Sequence, residues 1–186
     1  DVLSTCILTK GVKVDTLSTF DIEYLFLNIR GKSVGEDVEV LVTCPDDNKT
    51  KVPVRINLDD IKIITHDDHK RDIKLDDSLL MRMRYPSINE FIKSNFSTGE
   101  VKSEDTFDLI ISCIEQIYND EESWSTSDCT KEEMNDFLDQ LNSNQFKEIE
   151  KFFDTMPKLS HTLTVNNPNT KVKSDIKLEG LAAFFA

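Results

Sequence analysis

Val38-Glu39-Val40-Leu41-Val42-Thr43-Cys44 and, one turn later, Val52-Pro53-Val54-Arg55-Ile56-Asn57-Leu58 both repeat with a period of two. Val38, Val40, Val42 and Cys44 fall on one side of the first arm. Val52, Val54, Ile56 and Leu58 fall on one side of the second. Such alternation belongs to a strand with one buried face. The intervening Pro45 to Thr50 is rich in turn formers, so the stretch predicts a β-hairpin. Pro53 has no amide hydrogen to give to a ladder and predicts an edge position, or a bulge, for the return arm.

Before the hairpin, residues 2–14 are short, apolar and β-branched, and carry no assignment. A helix is predicted from Leu17, with Ser18 and Asp21 as a capping box and Gly31 as its end. Phe20, Tyr24 and Leu27, with Ile22, Phe26 and Ile29 beside them, leave almost no polar side, which predicts burial on several sides. After the hairpin, Ile61 to Thr65 is expected to extend the sheet, and His66 to Arg71 to form a polar loop. Ile73 and Leu75, then Leu79, Met81, Met83 and Tyr85, predict a second small β unit around Asp76-Asp77, stopped by Pro86.

The middle of the chain reads as helical. Ser87 with Glu90 caps a helix on Ile88, Phe91, Ile92 and Phe96, closed by Thr98-Gly99. Phe107, Ile110, Ile111, Ile114, Ile117 and Tyr118 follow helical spacing. Asp120 to Cys129 is an acidic, serine-rich loop around the only tryptophan, Trp124. Thr130 with Glu133 caps the next helix, which carries Met134, Phe137, Leu138 and Leu141. Asn144 is expected to cap the last, with Phe146, Ile149, Phe152, Phe153 and Met156, and Pro157 just beyond. The three short helices from Phe107 onward predict a small bundle. Leu163 and Val165, the turn 166–170, then Val172, Ile176 and Leu178 predict a second hairpin, followed by an apolar tail from Leu181 to Ala186. Residues 171–181 align without gaps on 51–61, either as a duplication or because hairpin arms share a pattern. The fold class expected is α+β, with small antiparallel hairpins flanking a short-helix bundle. Its regions are 1–86, 87–158 and 159–186, or one compact domain.

Composition excludes several roles. Of 186 residues, 38% are apolar and 31% charged, a globular balance. Lys and Arg total 22 against 35 Asp and Glu, a formal charge of −13. Such a chain repels phosphate backbones and anionic lipid, so neither nucleic acid nor membrane is an expected partner. No apolar run reaches the ~20 residues of a membrane helix. Cys6, Cys44, Cys113 and Cys129 form no C-x-x-C pair or disulfide framework and read as reduced thiols of an intracellular protein. No signal-peptide pattern opens the chain. A start at Asp1 without methionine leads to the expectation of a further N-terminal segment.

Candidate chemistry is sparse. Gly31-Lys32-Ser33 ends like a phosphate-binding loop, but Phe26 stands where that loop needs its first glycine. Cys44, His66 and His69 are the ligand types of a zinc site, without the second cysteine of a knuckle. Asp120 to Glu133 lacks the calcium-loop spacing and its turn glycine. Asp59-Asp60, Asp67-Asp68 and Asp76-Asp77 have no nucleophile–base partner, and His161 has no cysteine or serine beside it. Neither a catalytic, a metal nor a cofactor site is expected, and the chain reads as no enzyme. Arg82 and Arg84 are expected to point the same way beside Asp76 and Asp77, as surface ion pairs or as a contact to an acidic partner. Trp124 in its loop is a second candidate contact. Leu181, Phe184 and Phe185, at i, i+3 and i+4, form a third, docking on the chain's own helical core or on a partner.

Asp21-Ile22-Glu23-Tyr24-Leu25-Phe26-Leu27, Ile29-Arg30-Gly31-Lys32-Ser33-Val34-Gly35-Glu36, Met83-Arg84-Tyr85-Pro86-Ser87 and Leu178-Glu179-Gly180-Leu181-Ala182-Ala183-Phe184-Phe185 together resemble the baseplate hub assembly proteins of T-even-type tailed bacteriophages. The similarity runs in order from about Thr16 to Ala186. It implies a non-enzymatic assembly factor or chaperone that binds hub proteins while a contractile-tail baseplate is built in the host cytoplasm. A structural hub component retained in the virion is the alternative, with a metal-binding module or enzyme a remote third. The partners implied are phage baseplate hub proteins, with a second copy of the chain as a further option. The resemblance brings no catalytic residues.

Overall fold

The computed structural model describes residues 2–90 and 103–184. They form two compact units, each treated in turn. The mixture of helices and small antiparallel sheets is the α+β class that the sequence predicts.

The first unit combines Phe20–Ile64 with Pro157–Ala186 and the N-terminal Asp1–Val14. A short helix, α1 (Val2–Cys6), opens the chain where the sequence carried no assignment. Helix α2 (Thr19–Val34) follows. The predicted hairpin is present as β1 (Asp37–Thr43) and β2 (Lys51–Asn57), paired from Asp37↔Asn57 to Thr43↔Lys51. Val38, Val40 and Val42 point inward from β1, as the period of two requires. Pro53 sits on β2, whose only sheet partner among the described residues is β1, so its missing amide is not needed. Strand β3 (Lys62–Ile64) does not extend this hairpin. It joins β8 (Lys158–Asn166) and β9 (Lys173–Glu179) in a separate sheet of order β3-β8-β9. One core serves both sheets: Leu27 of α2, Val38, Val40, Val42, Cys44 and Ile56 of the first hairpin, and Leu159, Leu163 and Val165 of β8.

The turns of the two hairpins repeat one design. Cys44, before Pro45, accepts the amide of Asn48 at 2.9 Å, and Asn48 has φ 53°. Asn167, before Pro168, accepts the amide of Lys171 at 2.9 Å, and Lys171 has φ 64°. The arms beyond them start at Lys51 and Lys173, so the structural match is shifted by two residues from the gapless alignment of 51 with 171. An even shift keeps the same residues facing inward. The turns also bind each other. Asn167, fully buried, donates its side-chain amide to both carboxylate oxygens of Asp46, at 3.1 and 3.0 Å. Asn169 donates to the Thr50 hydroxyl at 2.9 Å.

Gly31 does not end α2. It lies within the helix, which runs on to Val34 before Gly35 turns the chain at φ 135°. A methyl group at Gly31 would stand 3.5 Å from Leu58 Cδ1, an ordinary contact. Glycine inside a helix costs roughly 0.5–1 kcal/mol relative to alanine. Gly31→Ala is therefore expected to stabilise the protein by about that amount. Urea unfolding checks it, and a lowered midpoint would show that the Leu58 side chain cannot give way.

The second unit comprises Thr65–Met156 with Asp15–Thr19. Its sheet has the order β4-β5-β6-β7, all antiparallel: β4 (Asp72–Lys74), β5 (Leu80–Met83), β6 (Ile114–Tyr118) and β7 (Ser123–Ser125). Helices α3 (Ser103–Cys113), α4 (Lys131–Asp139) and α5 (Ser143–Thr155) bring Ile110, Met134, Leu138, Ile149 and Phe152 to a core with Ile73, Met81, Met83 and Ile114. Here the sequence reading needs three corrections. The expected helix through Tyr118 stops at Cys113, and Ile114, Ile117 and Tyr118 belong to β6, the strand next to the edge. Trp124 is in a strand, not a loop. The last helix is capped by Asn142 with Gln145, not by Asn144: the Asn142 carboxamide oxygen accepts the amides of Asn144 and Gln145 at 2.9 and 3.1 Å. The Thr130/Glu133 capping box of α4 forms as expected. Ser87 and Glu90 form one also, with the Ser87 amide 2.8 Å from a Glu90 carboxylate oxygen. Phe91, Ile92, Phe96, Thr98 and Gly99 of the helix expected there lie outside the described residues.

Candidate functional site

The sheet of the second unit carries two of the predicted contact residues, Arg82 on β5 and Trp124 on β7, with Arg84 just beyond β5, and its pleat sorts them. On one face the row Ile73, Met81, Ile117, Trp124 crosses all four strands. Met81 is fully buried, Ile117 half-buried, and Trp124 at the outer strand is 44% exposed. The indole thus carries the apolar row from the core to an open edge.

The opposite face is polar. Arg82 stands across from Asp72 and donates to it from Nε at 2.7 Å and Nη2 at 3.3 Å. The Tyr118 hydroxyl donates to the same carboxylate at 3.0 Å, and the Arg82 guanidinium lies 5.5 Å from the Tyr118 ring centre. Arg82 and Tyr118 together hold the Asp72 carboxyl below its usual range. This corrects the expected pairing with Asp76 and Asp77. Asp76 is occupied by the amides of Ser78 and Leu79, and Asp77 by Lys74.

Arg84 also goes elsewhere. The ladder between β5 and β6 shifts register after Arg82, so Met83 pairs with Ile114 and Glu115 is passed over. Beyond the bulge, Arg84 donates to both carboxylate oxygens of Glu90, from Nη1 at 3.0 Å and Nη2 at 2.5 Å. Burial pushes the Glu90 carboxyl up, but the Arg84 fork and the Ser87 amide and hydroxyl outweigh it and hold the group at about 2. Arg82 and Arg84 are therefore both matched inside the second unit, each by its own carboxylate.

The C-terminal residues are placed in the first unit. Gly180, at φ 72°, turns the chain out of β9, and its amide donates to Leu159. The Leu181 amide donates to Glu23 at 3.1 Å, and burial raises that carboxyl above its usual range. Leu181–Phe184 is a single 3-10 turn, whose residues three apart lie on the same side. Phe184 is 1% exposed within the shared β core, and Leu181 is half-buried against it. The element on which Phe184 docks is thus the two-sheet core rather than the helical one. Phe185 lies outside the described residues. Truncating a buried phenylalanine costs about 3–5 kcal/mol. Phe184→Ala is expected to lower unfolding stability by that amount, and a change below ~1 kcal/mol would show that the site collapses around the lost ring.

The residues weighed as metal ligands are not gathered. Cys44 is buried in the core of the first unit. His69, in the second, has both ring nitrogens occupied: Nδ1 is 2.9 Å from the Thr155 hydroxyl and Nε2 is 2.9 Å from the Tyr85 hydroxyl. Thr155 donates its only hydroxyl proton to the Lys151 carbonyl, so toward His69 it accepts. The neutral ring thus carries its proton on Nδ1 and accepts from Tyr85 at Nε2. Tyr85 and Phe152 lie against the ring at centroid distances of 5.7 and 5.3 Å. Among the described residues no three histidines, cysteines or carboxylates are grouped to hold a metal ion. This histidine network is the feature that spacing alone did not reveal, because its partners come from Tyr85 and Thr155, far away in the chain.

Burial, with the Arg71 charge adding to it, holds the His69 imidazole below its ordinary 6.5. The unfolded chain then takes up the proton first as pH falls. The stability that His69 contributes is complete above pH 6.5 and is lost as pH drops from there toward the folded value. His69→Phe keeps a ring against Tyr85 and Phe152 and removes the titration. The difference in urea midpoint between the native chain and this variant is expected to shrink on acidification from pH 7 to 5.5. A constant difference across that range would show a histidine that titrates alike folded and unfolded.

A family model described as T4 bacteriophage base plate protein matches residues 1–186 of the chain. Neither the curated proteins nor the solved structures compared with it contain a match.

Proposed function

The chain belongs to the T4 bacteriophage base plate protein family, and from that premise we propose that it is a non-enzymatic assembly factor, or chaperone, of the baseplate hub. It binds hub proteins in the host cytoplasm while the contractile-tail baseplate is built. The observation that carries this reading is the family match along the entire chain. The segments that resemble hub assembly proteins add to it. They lie on α2, at the end of β5 and in the last strand with its closing turn. A role by contact also accords with the large apolar side chains left at the surface, Leu8, Val34, Leu41, Ile64, Trp124 and Val172. Of the six residues expected to touch a partner, Trp124 best keeps that role, since Arg82 and Arg84 are paired and Phe184 is buried.

A second reading, a structural hub component retained in the particle, follows from the same family membership. Quantitative mass spectrometry separates the two. An assembly factor is expected in infected-cell lysate, co-purifying with baseplate intermediates, and below stoichiometric amounts in purified virions. Stoichiometric presence in virions would replace it with the structural reading. A chain that co-purifies with no baseplate protein in the lysate and is missing from virions would sink both.

A further inference from the structure

Trp124 lies at the edge of the second unit's sheet, where no further strand pairs with β7 among the described residues. Strand β7 is the outermost of the four, and Trp124 is placed opposite Ile117. Its indole N–H has no hydrogen-bond partner among the described residues. The hairpin that presents it is closed by the Asn119 amide donating to the Glu122 carbonyl at 2.9 Å. Bonded and non-bonded pairs alternate along an antiparallel ladder. With 119 and 122 bonded, the next bonded pair is Ile117 with Trp124. The peptide groups of Ser123 and Ser125 consequently face away from β6. The Ser125 carbonyl takes the Cys129 thiol at 3.5 Å, and among the described residues nothing pairs with the amide and carbonyl of Ser123, which face an incoming strand.

Charge indicates what that strand carries. Residues 119–130 contain Asp120, Glu121, Glu122 and Asp128 and no lysine or arginine. None of these four carboxylates has an ion-pair partner among the described residues. Elsewhere in the second unit, Asp72 on the sheet and Glu90 beyond it are already taken by Arg82 and Arg84. An arriving cation at the hairpin tip displaces no internal partner, whereas at Asp72 or Glu90 it would. An exposed indole face is also the best aromatic seat for a guanidinium or ammonium group.

We propose that the open edge of β7 takes up an extended, basic segment of another protein as an added strand, with an arginine or lysine over Trp124 and further cations against Asp120, Glu121, Glu122 and Asp128. The inference rests on the reading of the chain as a protein-binding baseplate component and names the chemistry of the partner. Main-chain bonds and the indole supply affinity, and the carboxylates supply encounter rate and selection against acidic partners.

The sole tryptophan makes the test direct, because its fluorescence reports this edge alone. The purified chain is titrated with an octapeptide of alternating arginine and threonine, with its glutamate–threonine counterpart, and with an arginine–threonine peptide N-methylated on one edge. The basic peptide is expected to give a saturable change in Trp124 emission that weakens with salt. The acidic peptide is expected to give none, and N-methylation to cost about tenfold in affinity. Glu121→Lys with Glu122→Lys is expected to cost about tenfold or more, and Asp139→Lys, on the exposed end of α4, to cost little. Equal responses to the basic and acidic peptides, indifference to N-methylation, or an equal loss from Asp139→Lys would each overturn the proposal. The two readings fail separately. If the basic peptide does not bind and the chain still co-purifies with baseplate proteins, the docking edge falls and the baseplate role stands. If it binds as described and no baseplate protein co-purifies, the edge stands and the baseplate role falls.

Discussion

The bond from Asn167 to Asp46 joins two turns 121 residues apart, and the first unit depends on the association that it marks. A lone two-stranded hairpin is marginal in water, because one face has nothing to pack against. Here β1 and β2 offer Val38, Val40, Val42 and Ile56 to the same core that receives Leu159, Leu163 and Val165 from β8. Each hairpin supplies what the other lacks. Closing so long a loop costs entropy that grows slowly with length, so separation in sequence is a modest penalty beside the apolar area gained. A carboxamide buried completely would be costly if left unmatched. Asn167 is matched on both ends, giving to Asp46 and accepting the amide of Asn169 at 2.9 Å. The bond thus fixes which turn meets which, while the apolar contacts hold them together.

The same need for a matched partner governs the second unit. Asp72 is held by Arg82 and Tyr118, Glu90 by Arg84 and Ser87, and His69 by Thr155 and Tyr85. Each set joins residues from different elements, so each fixes a register or a helix end. The arginines that resembled free contact groups are consumed in this way, and their worth to the protein is positional. Two of these carboxylates are partly exposed, so the ion pairs add little net stability, and the geometry that they select is their contribution.

Both hairpins were legible in the sequence because one face of each is buried and the other is not. The alternation of Val38, Val40 and Val42 leaves no helical alternative, and the Ser87/Glu90 and Thr130/Glu133 boxes are local chemistry that needs no tertiary information. The stretch from Phe107 to Tyr118 failed for the opposite reason. Ile110, Ile111, Ile114 and Ile117 satisfy helical spacing, and the modest lean of β-branched residues toward strands does not override that spacing locally. What decides is the pairing of Ile117 with both Met81 and Trp124, which lies outside any local window. Gly31 misled through its usual meaning as a helix end. It is tolerated inside α2 beside Leu58, and the positive φ that ends the helix falls to Gly35. Asn142 and Asn144 are both plausible caps, and the Asn142 amide donating to the Gln145 carboxamide oxygen selects the first.

The candidate site was legible only as residue types. That Trp124 is the single tryptophan among serines and acids is plain from the sequence, but the same composition reads equally as a solvated loop. The ladder with β6 changes its meaning. It places the indole in line with Met81 and Ile73 and turns the peptide groups of Ser123 outward. A loop tryptophan would be free to fold back on its own chain. One fixed in an edge strand is held in a single orientation, so a partner that binds it does not have to order it first. Where internal pairing has consumed nearly every other polar feature of this sheet, pre-organisation of an unmatched edge is the property that distinguishes a contact surface from ordinary exposed surface.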